Sequence, residues 1–271
     1  MKRKLLAILL ALMTPWSALS ASAPFWAEFV NVGAGDCAII GCDGEIMMVD
    51  TGPVRAWDKV KAAMARHGAE KIDVLVLTHP HPDHVGNASA VGSTWPVKET
   101  WVSACAYDPA EAYTGDAVRQ ARRGDTLKLG RADISVLWPE DGQTLVNDQS
   151  IVLRLTFGSF SLLMTGDVER GAEMTMAYGA EDMPLSSTVL KVAHHGLNTS
   201  TAYPFARAVG ARYAVISCDA PDKKAVPSPI TLDTLIRCGA KKIFDTGNVG
   251  SVLIEVGDDG LMTITSEKTN E

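Results

Sequence analysis

The sequence predicts an α/β chain in which two mixed β-sheets pack face to face with helices outside. Three observations carry this. Short apolar runs pair as hairpins through Gly-containing turns, helical stretches alternate with strands in the second half, and the two similar halves meet without a linker. At 271 residues, 46% hydrophobic and 21% charged, the chain suits one domain with a substantial core and is not disordered or fibrous.

Ala27–Val32 reads as a strand. Cys37–Gly41 and Glu45–Val49 form a hairpin around Cys42-Asp43-Gly44. Val54–His67 has helical spacing, with Val60, Ala63 and Met64 on one face and Gly68 as its stop. His67, at that helix end, reads as a plain cap residue. Asp73–Leu77 is a near-continuous apolar run, hence a strand covered on both faces. A helix begins near Asp83, Glu99–Ser103 is a strand, and Pro109–Arg123 reads as a helix with proline in its first turn. Thr126–Leu129 with Ile134–Leu137, and Ile151–Phe157 with Phe160–Met164, read as hairpins. Helices at Val168–Tyr178, Tyr203–Val209 and Leu232–Cys238 then alternate with strands at Val189–Val192, Tyr213–Ser217 and Ile243-Phe244. Ser251–Val256 and Leu261–Thr265 close the chain as a last hairpin.

Residues 1–23 have a different character. Met1-Lys2-Arg3-Lys4 is a basic start, Leu5–Met13 is too short an apolar run to span a membrane, and small residues follow to Ala23. This is the layout of a secretory leader, with a mature N-terminus expected between Ser20 and Phe25, residues 24–271 forming the working domain, and a periplasmic or secreted location. No second spanning run follows, so no membrane partner is expected after cleavage. Without Lys2, Arg3 and Lys4 the chain has 22 basic against 32 acidic residues, a net charge of −10. The lack of a basic run counts against tight nucleic-acid binding, though not against brief contact at a metal centre. The cysteines, Cys37, Cys42, Cys105, Cys218 and Cys238, are odd in number, so at least one thiol is unpaired, and no spacing reads as a zinc knuckle.

The strongest chemical signal is Thr78-His79-Pro80-His81-Pro82-Asp83-His84, directly after a buried strand. Pro80 and Pro82 hold His79 and His81 extended, so the two imidazoles face one point. Asp83 and His84 follow where the chain turns into a helix and face a second point nearby. Imidazole suits zinc, and carboxylate adds capacity for harder cations such as manganese. Five of the six histidines lie in two clusters, the second being His194-His195 at the end of the strand Val189–Val192. One of that pair can ligate a metal while the other orients, donates a proton or binds substrate. Their side chains should point to opposite sides of an extended chain unless the backbone turns, which Gly196 permits. We assign His195 to the metal and His194 to support or proton transfer. Leu162–Asp167 is a strand, a glycine and a carboxylate. Asp167 can bridge two ions about 3.5–4 Å apart, although alone such an Asp is more often a turn residue.

Together these pieces resemble the metallo-β-lactamase superfamily, whose sign is H-x-H-x-D-H, and within it the hydrolase domain of ComEC-type competence proteins and their free-standing relatives. The likeness runs in order through Phe29–Asp36, Val49–Gly52, His79–His84, Asn147–Leu153, Leu163–Asp167 and Leu190–Gly196. It implies an αββα sandwich with two divalent ions, zinc or manganese, at one edge. It places His79 and His81 on one ion, Asp83 and His84 on the other, Asp167 between them, and Asp50 as a brace behind the His loop. Two departures stand out. Val226 in Ala225–Pro229 occupies a place where relatives often carry His, and Leu197 follows Gly196 where Ser is usual.

No His lies between residues 84 and 194, where true metallo-β-lactamases use one, and Asp148 is the available substitute ligand. An oxygen-richer site favours phosphoryl chemistry. The expected function is therefore metal-assisted hydrolysis of a small-molecule or nucleic-acid phosphodiester, with Asp83 and His194 as the catalytic pair. An amide, ester or β-lactam hydrolase and a non-catalytic binding protein are the rival readings.

Overall fold

A computed structural model describes residues 23–108, 113–179, 183–219 and 226–268. The leader, apart from Ala23, therefore lies outside the described residues. Two sheets form the centre. The first contains β1 (Phe25–Phe29), β2 (Ala38–Cys42), β3 (Glu45–Val49), β4 (Ile72–Leu77), β5 (Val97–Ser103) and β6 (Ala117–Ala121), and is extended past β1 by β14 (Val252–Val256) and β15 (Met262–Ser266). The second contains β7 (Thr126–Leu129), β8 (Ala132–Trp138), β9 (Val152–Phe157), β10 (Phe160–Met164), β11 (Val189–Lys191), β12 (Tyr213–Ile216) and β13 (Lys242–Asp245), in that spatial order.

Alternation along the strands makes the layers. Phe25, Ala27 and Phe29 of β1 enter the core between the sheets, with Ile40, Met47, Leu153 and Leu162. Trp26 faces outward, where Ile39, Met48 and Leu75 meet α1 (Trp57–Arg66), the short α2 (Pro82–Val85) expected near Asp83, and α3 (Ala88–Thr94) through Val60, Met64, Val85 and Val91. The second sheet's outer face, Leu163, Leu190 and Ala214, packs on α4 (Arg170–Tyr178), α5 (Tyr203–Val209) and α6 (Pro229–Arg237). Strands covered on both faces read as continuous apolar runs. Full burial of each large side chain contributes roughly 1.5–3 kcal/mol. The expected two-sheet sandwich with outer helices is the observed fold.

One element differs. The helix expected over Pro109–Arg123 is not formed. Residues 109–112 lie outside the described residues, and Ala117–Ala121 is a strand paired in parallel with β5, Glu99 opposite Ala117 and Ser103 opposite Ala121. The open edge of β5 supplies a ladder of hydrogen bonds, and Arg119 lies over the Trp101 ring at 4.6 Å. This pairing overrides a weak local helical preference. The short helix α3 has no counterpart in the reading, because Val91 is its one buried residue and leaves no periodic stripe.

His67 does cap α1, but its side chain has a further role. It stacks on Trp26 at 3.7 Å and meets Glu28 Oε2 at 2.7 Å through Nε2. Arg66 donates to the same fully buried carboxylate at 2.7 and 3.2 Å. Burial pushes the Glu28 pKa up, but the hydrogen bonds from His67 and Arg66 outweigh it and hold it below the ordinary value. Glu28→Gln is expected to cost about 3 kcal/mol, since it breaks a buried charged group's pairing. A folded pKa below the unfolded one means that this stabilisation is present above the ordinary carboxylate range and lost as pH falls through the folded value. Urea denaturation at neutral and acid pH checks both points: the variant lies well below wild type at pH 7 and converges on it in acid.

Candidate metal centre

The parallel strands of both sheets end at the same edge, and the chemistry-bearing residues sit just past those ends. Asp50 follows β3, His79 follows β4, Asp167 follows β10 and His195 follows β11. Pairing of β3 with β4 and of β10 with β11 thus brings distant sequence segments to one place.

Asp50 organises the His loop. Its Oδ1 accepts the Thr78 amide at 2.8 Å, while Oδ2 accepts the Thr78 hydroxyl at 2.7 Å and meets His84 Nδ1 at 2.7 Å. Asp50 itself has φ 58°, a left-handed conformation that non-glycine residues rarely adopt. With Nδ1 engaged, His84 presents Nε2 at 3.2 Å from Asp167 Oδ2. His79 Nε2 lies 3.0 Å from His81 Nδ1 and 3.8 Å from Asp167 Oδ2, and Ser150 Oγ stands 3.3 Å from its Nδ1. Ser150 also accepts the Asp167 amide at 3.0 Å. Gly166, at φ 49°, is required here: a Cβ would sit 2.8 Å from the Ser150 side chain.

At the paired histidines the turn comes earlier than Gly196. His194 and His195 are both left-handed, at φ 49° and 55°. Two successive residues in this region store strain of the kind found at functional sites. Their rings separate to 6.2 Å between centroids. His195 enters the cluster, with Nε2 3.5 Å from Asp83 Oδ2 and 3.4 Å from Asp167 Oδ2, and its Nδ1 bonded to the Ser217 carbonyl at 2.9 Å. His194 turns away, its Nδ1 2.8 Å from Thr199 Oγ1 and 3.7 Å from Glu169 Oε1.

The structure therefore brings together His79, His81, Asp83, His84, Asp167 and His195, with Asp50 beneath them. Donor atoms of His79, His84 and Asp167, and separately of Asp83, His84 and His195, lie within 4.8 Å of one another. Asp148 does not join them. Its Oδ1 accepts the Glu169 amide at 2.7 Å ahead of α4, and it belongs to none of the close donor groups among the described residues. The substitution of Asp148 for a missing His is thus not what the geometry shows; Ser150 of the same segment reaches the site instead. Val226 is half-buried and packs with the apolar cluster beneath α5 and α6, beside the Gly196 turn, where Ser228 donates to the Gly196 carbonyl at 2.9 Å. Sequence reasoning passed over Asp36 and Lys191. The signal for Lys191 was present: one cation inside the apolar run Val189–Val192.

A divalent ion fits this donor set. His84 Nε2, His195 Nε2 and Asp167 Oδ1 are buried with no hydrogen-bond partner, an expensive condition unless something binds there. Electrostatics agree. Burial disfavours charge on His195, yet the carboxylates of Asp167, Asp83 and Asp36 push its pKa up to about 10. Burial likewise opposes charge on His84, and Asp167 and Asp50 overcome it. Burial and the neighbouring His84 charge push His79 down to about 3. The carboxylates draw positive charge to the point where the imidazole nitrogens converge.

Residues 30–220 match the family described as the metallo-beta-lactamase superfamily. The chain is 28% identical over 235 residues to Competence protein ComA of Neisseria gonorrhoeae, covering 85% of this chain and 32% of that one. It is 25% identical over 237 residues to ComE operon protein 3 of Bacillus subtilis, covering 78% and 30%. It is 27% identical over 206 residues to Recombination protein 2 of Haemophilus influenzae, covering 72% and 24%. The chain thus spans a third or less of the length of these relatives. Among solved structures, the metallo-beta-lactamase fold protein YhfI from Bacillus subtilis aligns with a TM-score of 0.57 at 14% identity, over 89% of this chain and all of that one. CmlA, a diiron beta-hydroxylase from Streptomyces venezuelae, aligns with a TM-score of 0.55 at 16% identity, over 82% and 53%. These likenesses establish the fold. With a family match over most of its length and the His-rich edge that the family's sign requires, the chain belongs to the metallo-β-lactamase superfamily.

Proposed function

We propose that the protein is an exported, dinuclear metal-dependent phosphodiesterase or nuclease. The carrying observation is the donor set: His79, His81, His84 and His195 share the cluster with Asp83 and Asp167, and within it His84 Nε2, His195 Nε2 and Asp167 Oδ1 are buried without a hydrogen-bond partner. His79 and His81 would hold one ion, Asp83, His84 and His195 the second, and Asp167 both. When bound, such ions polarise a phosphoryl oxygen and lower the pKa of water. A carboxylate-containing set favours zinc or manganese and phosphoryl substrates. The relatives named for competence and recombination support nucleic acid among the phosphodiesters. The basic Met1–Lys4 start and the short apolar run behind it support export. Among the described residues no helix is long and apolar enough to cross a membrane.

The chain's own residues divide the work. Asp50 holds Thr78 and His84 in register, Ser150 holds His79 and Asp167, and the Ser217 carbonyl fixes the His195 ring. His194 has Nδ1 against Thr199, which leaves Nε2 to carry a proton to or from the reacting oxygen. Asp83, on the accessible side of the cluster, can accept a proton from water.

A panel of chromogenic phosphodiester, phosphomonoester, thioester and β-lactam substrates, with Zn²⁺ and Mn²⁺ supplied separately, tests the reading. Phosphodiester turnover is expected to dominate; preferential β-lactam or thioester hydrolysis would sink it. Elemental analysis under metal excess is expected to give two ions per chain, with His79→Ala and Asp83→Ala each losing one. His195→Ala should emerge metal-depleted. His194→Ala should keep its metal and lose roughly 10²–10⁴-fold in turnover. The reverse pattern in dialysis and metal titration would exchange their roles. Mass spectrometry of the native protein should find the mature N-terminus between Ser20 and Phe25, and an intact Met1 would remove export from the proposal.

A further inference from the structure

The cluster at the sheet edges is completed from beneath by a charged pair that holds no part in the ligand set described above. Lys191 is the last residue of β11 in the second sheet and is 2% exposed. Its Nζ donates to Asp36 Oδ2 at 2.5 Å and to the Val192 carbonyl at 3.1 Å. Asp36 belongs to the loop between β1 and β2 of the first sheet and is 6% exposed. A second cross-sheet pair, Arg131 with Asp43, lies on exposed side chains, where it contributes little. The Lys191–Asp36 pair is buried, and its desolvation is costly unless the geometry is used.

The backbone shows what the geometry does. The Asp36 amide donates to the Asp83 carbonyl at 3.2 Å, and the Asp36 carbonyl accepts the Gly52 amide at 2.8 Å. Gly35 lets this loop press on the His loop: at φ 137°, a Cβ there would stand 2.4 Å from the Asp83 carbonyl oxygen. Four residues beyond Lys191, His195 faces Asp83 across the gap between the sheets, Nε2 to Oδ2 3.5 Å. The other Asp36 oxygen, buried and without a partner, stands 3.7 Å from His195 Nδ1. The void beside the pair, bounded by Asp36, Thr78, Gly166, Lys191 and Ser217, is about 10 Å³. That is near the lower limit for one water molecule, so no hydrated ion shares the space with the ammonium.

We propose that Asp36 and Lys191 are positioning residues: a buried inter-sheet strut that sets the distance between Asp83 on one sheet and His195 on the other, and so preforms the second ion's half of the centre. This rests on the metal-centre reading for its consequence but not for its geometry. A strut of this kind acts before any ion arrives, so its loss should be visible in the metal-free protein as well as in the loaded one.

The test uses the full mature chain and Co²⁺ as the probe ion. In Lys191→Met the Asp83–His195 separation, read by crystallography of the metal-free protein, is expected to widen beyond 3.5 Å. The second equivalent of Co²⁺ should bind roughly 10–100-fold more weakly, with an altered d–d spectrum, while the first equivalent is unchanged. Because Lys191→Met leaves Asp36 without its cation, the double variant Asp36→Asn/Lys191→Met, which has no lone buried charge, provides the same measurement in a protein free of that strain. A double variant with the wild-type separation, titration and spectrum would overturn the proposal. So would one that fails to fold, since it would assign the pair to stability alone. If wild type itself takes up no Co²⁺, the metal-centre reading fails, while the separation in the metal-free variants still decides the strut.

Discussion

The structure depends on the problem of holding three buried carboxylates together, with a donor oxygen of Asp36 within 4.8 Å of one on Asp50 and of one on Asp167. Like charges in a poorly solvated space repel strongly, and each must be compensated locally. Asp36 is met by Lys191. Asp50 is met by the Thr78 amide and hydroxyl and by His84 Nδ1. Asp167 is met only by imidazole nitrogens at 3.2 Å and beyond, and one of its oxygens has no partner. Asp50 is thus closed by its hydrogen bonds; Asp36 keeps one oxygen without a partner but has the Lys191 ammonium on the other, whereas Asp167 has no Lys or Arg partner among the described residues and opens toward the point where the histidines converge. That asymmetry is what makes the edge a metal centre and not merely a polar core.

Placement of these groups follows from strand direction. A parallel strand delivers its carboxyl end, and whatever follows it, to the same edge as its neighbour. Once β3 and β4 pair in one sheet and β10, β11 and β12 in the other, Asp50, His79, Asp167, His195 and Ser217 arrive together without further instruction. The final ångströms come from backbone conformations that a free chain avoids, at Asp50, His194 and His195, and from glycines at 35 and 166 that admit a neighbouring backbone or side chain where a Cβ would collide. The large buried cores on either side make such strained turns tolerable.

Much of this was legible in the sequence, and unevenly so for physical reasons. The two-sheet sandwich could be read because buried strands are continuous apolar runs with glycine-marked turns between them. The His loop could be read because two prolines force an extended spacing that aims alternate residues one way. The failures share a cause. The strand at Ala117–Ala121 exists because β5 has an open edge, and the Asp148 carboxylate is diverted because the Glu169 amide needs an acceptor. Both depend on partners far away in the chain. Asp36 lies between two strands and Lys191 within one, and their meeting across 155 positions is written in no local pattern.

Fold alone does not choose the reaction. A sandwich of similar outline carries a diiron hydroxylase, so the choice must come from the donors and the groups around them. Here the donors are mixed imidazole and carboxylate, and they are held in place by hydrogen bonds to oxygens of Asp50, Ser150 and Ser217. Ions held there would meet four imidazoles, of His79, His81, His84 and His195, and two carboxylates, of Asp83 and Asp167. They would supply Lewis acidity toward a charged oxygen, which the phosphodiester hydrolysis proposed above requires.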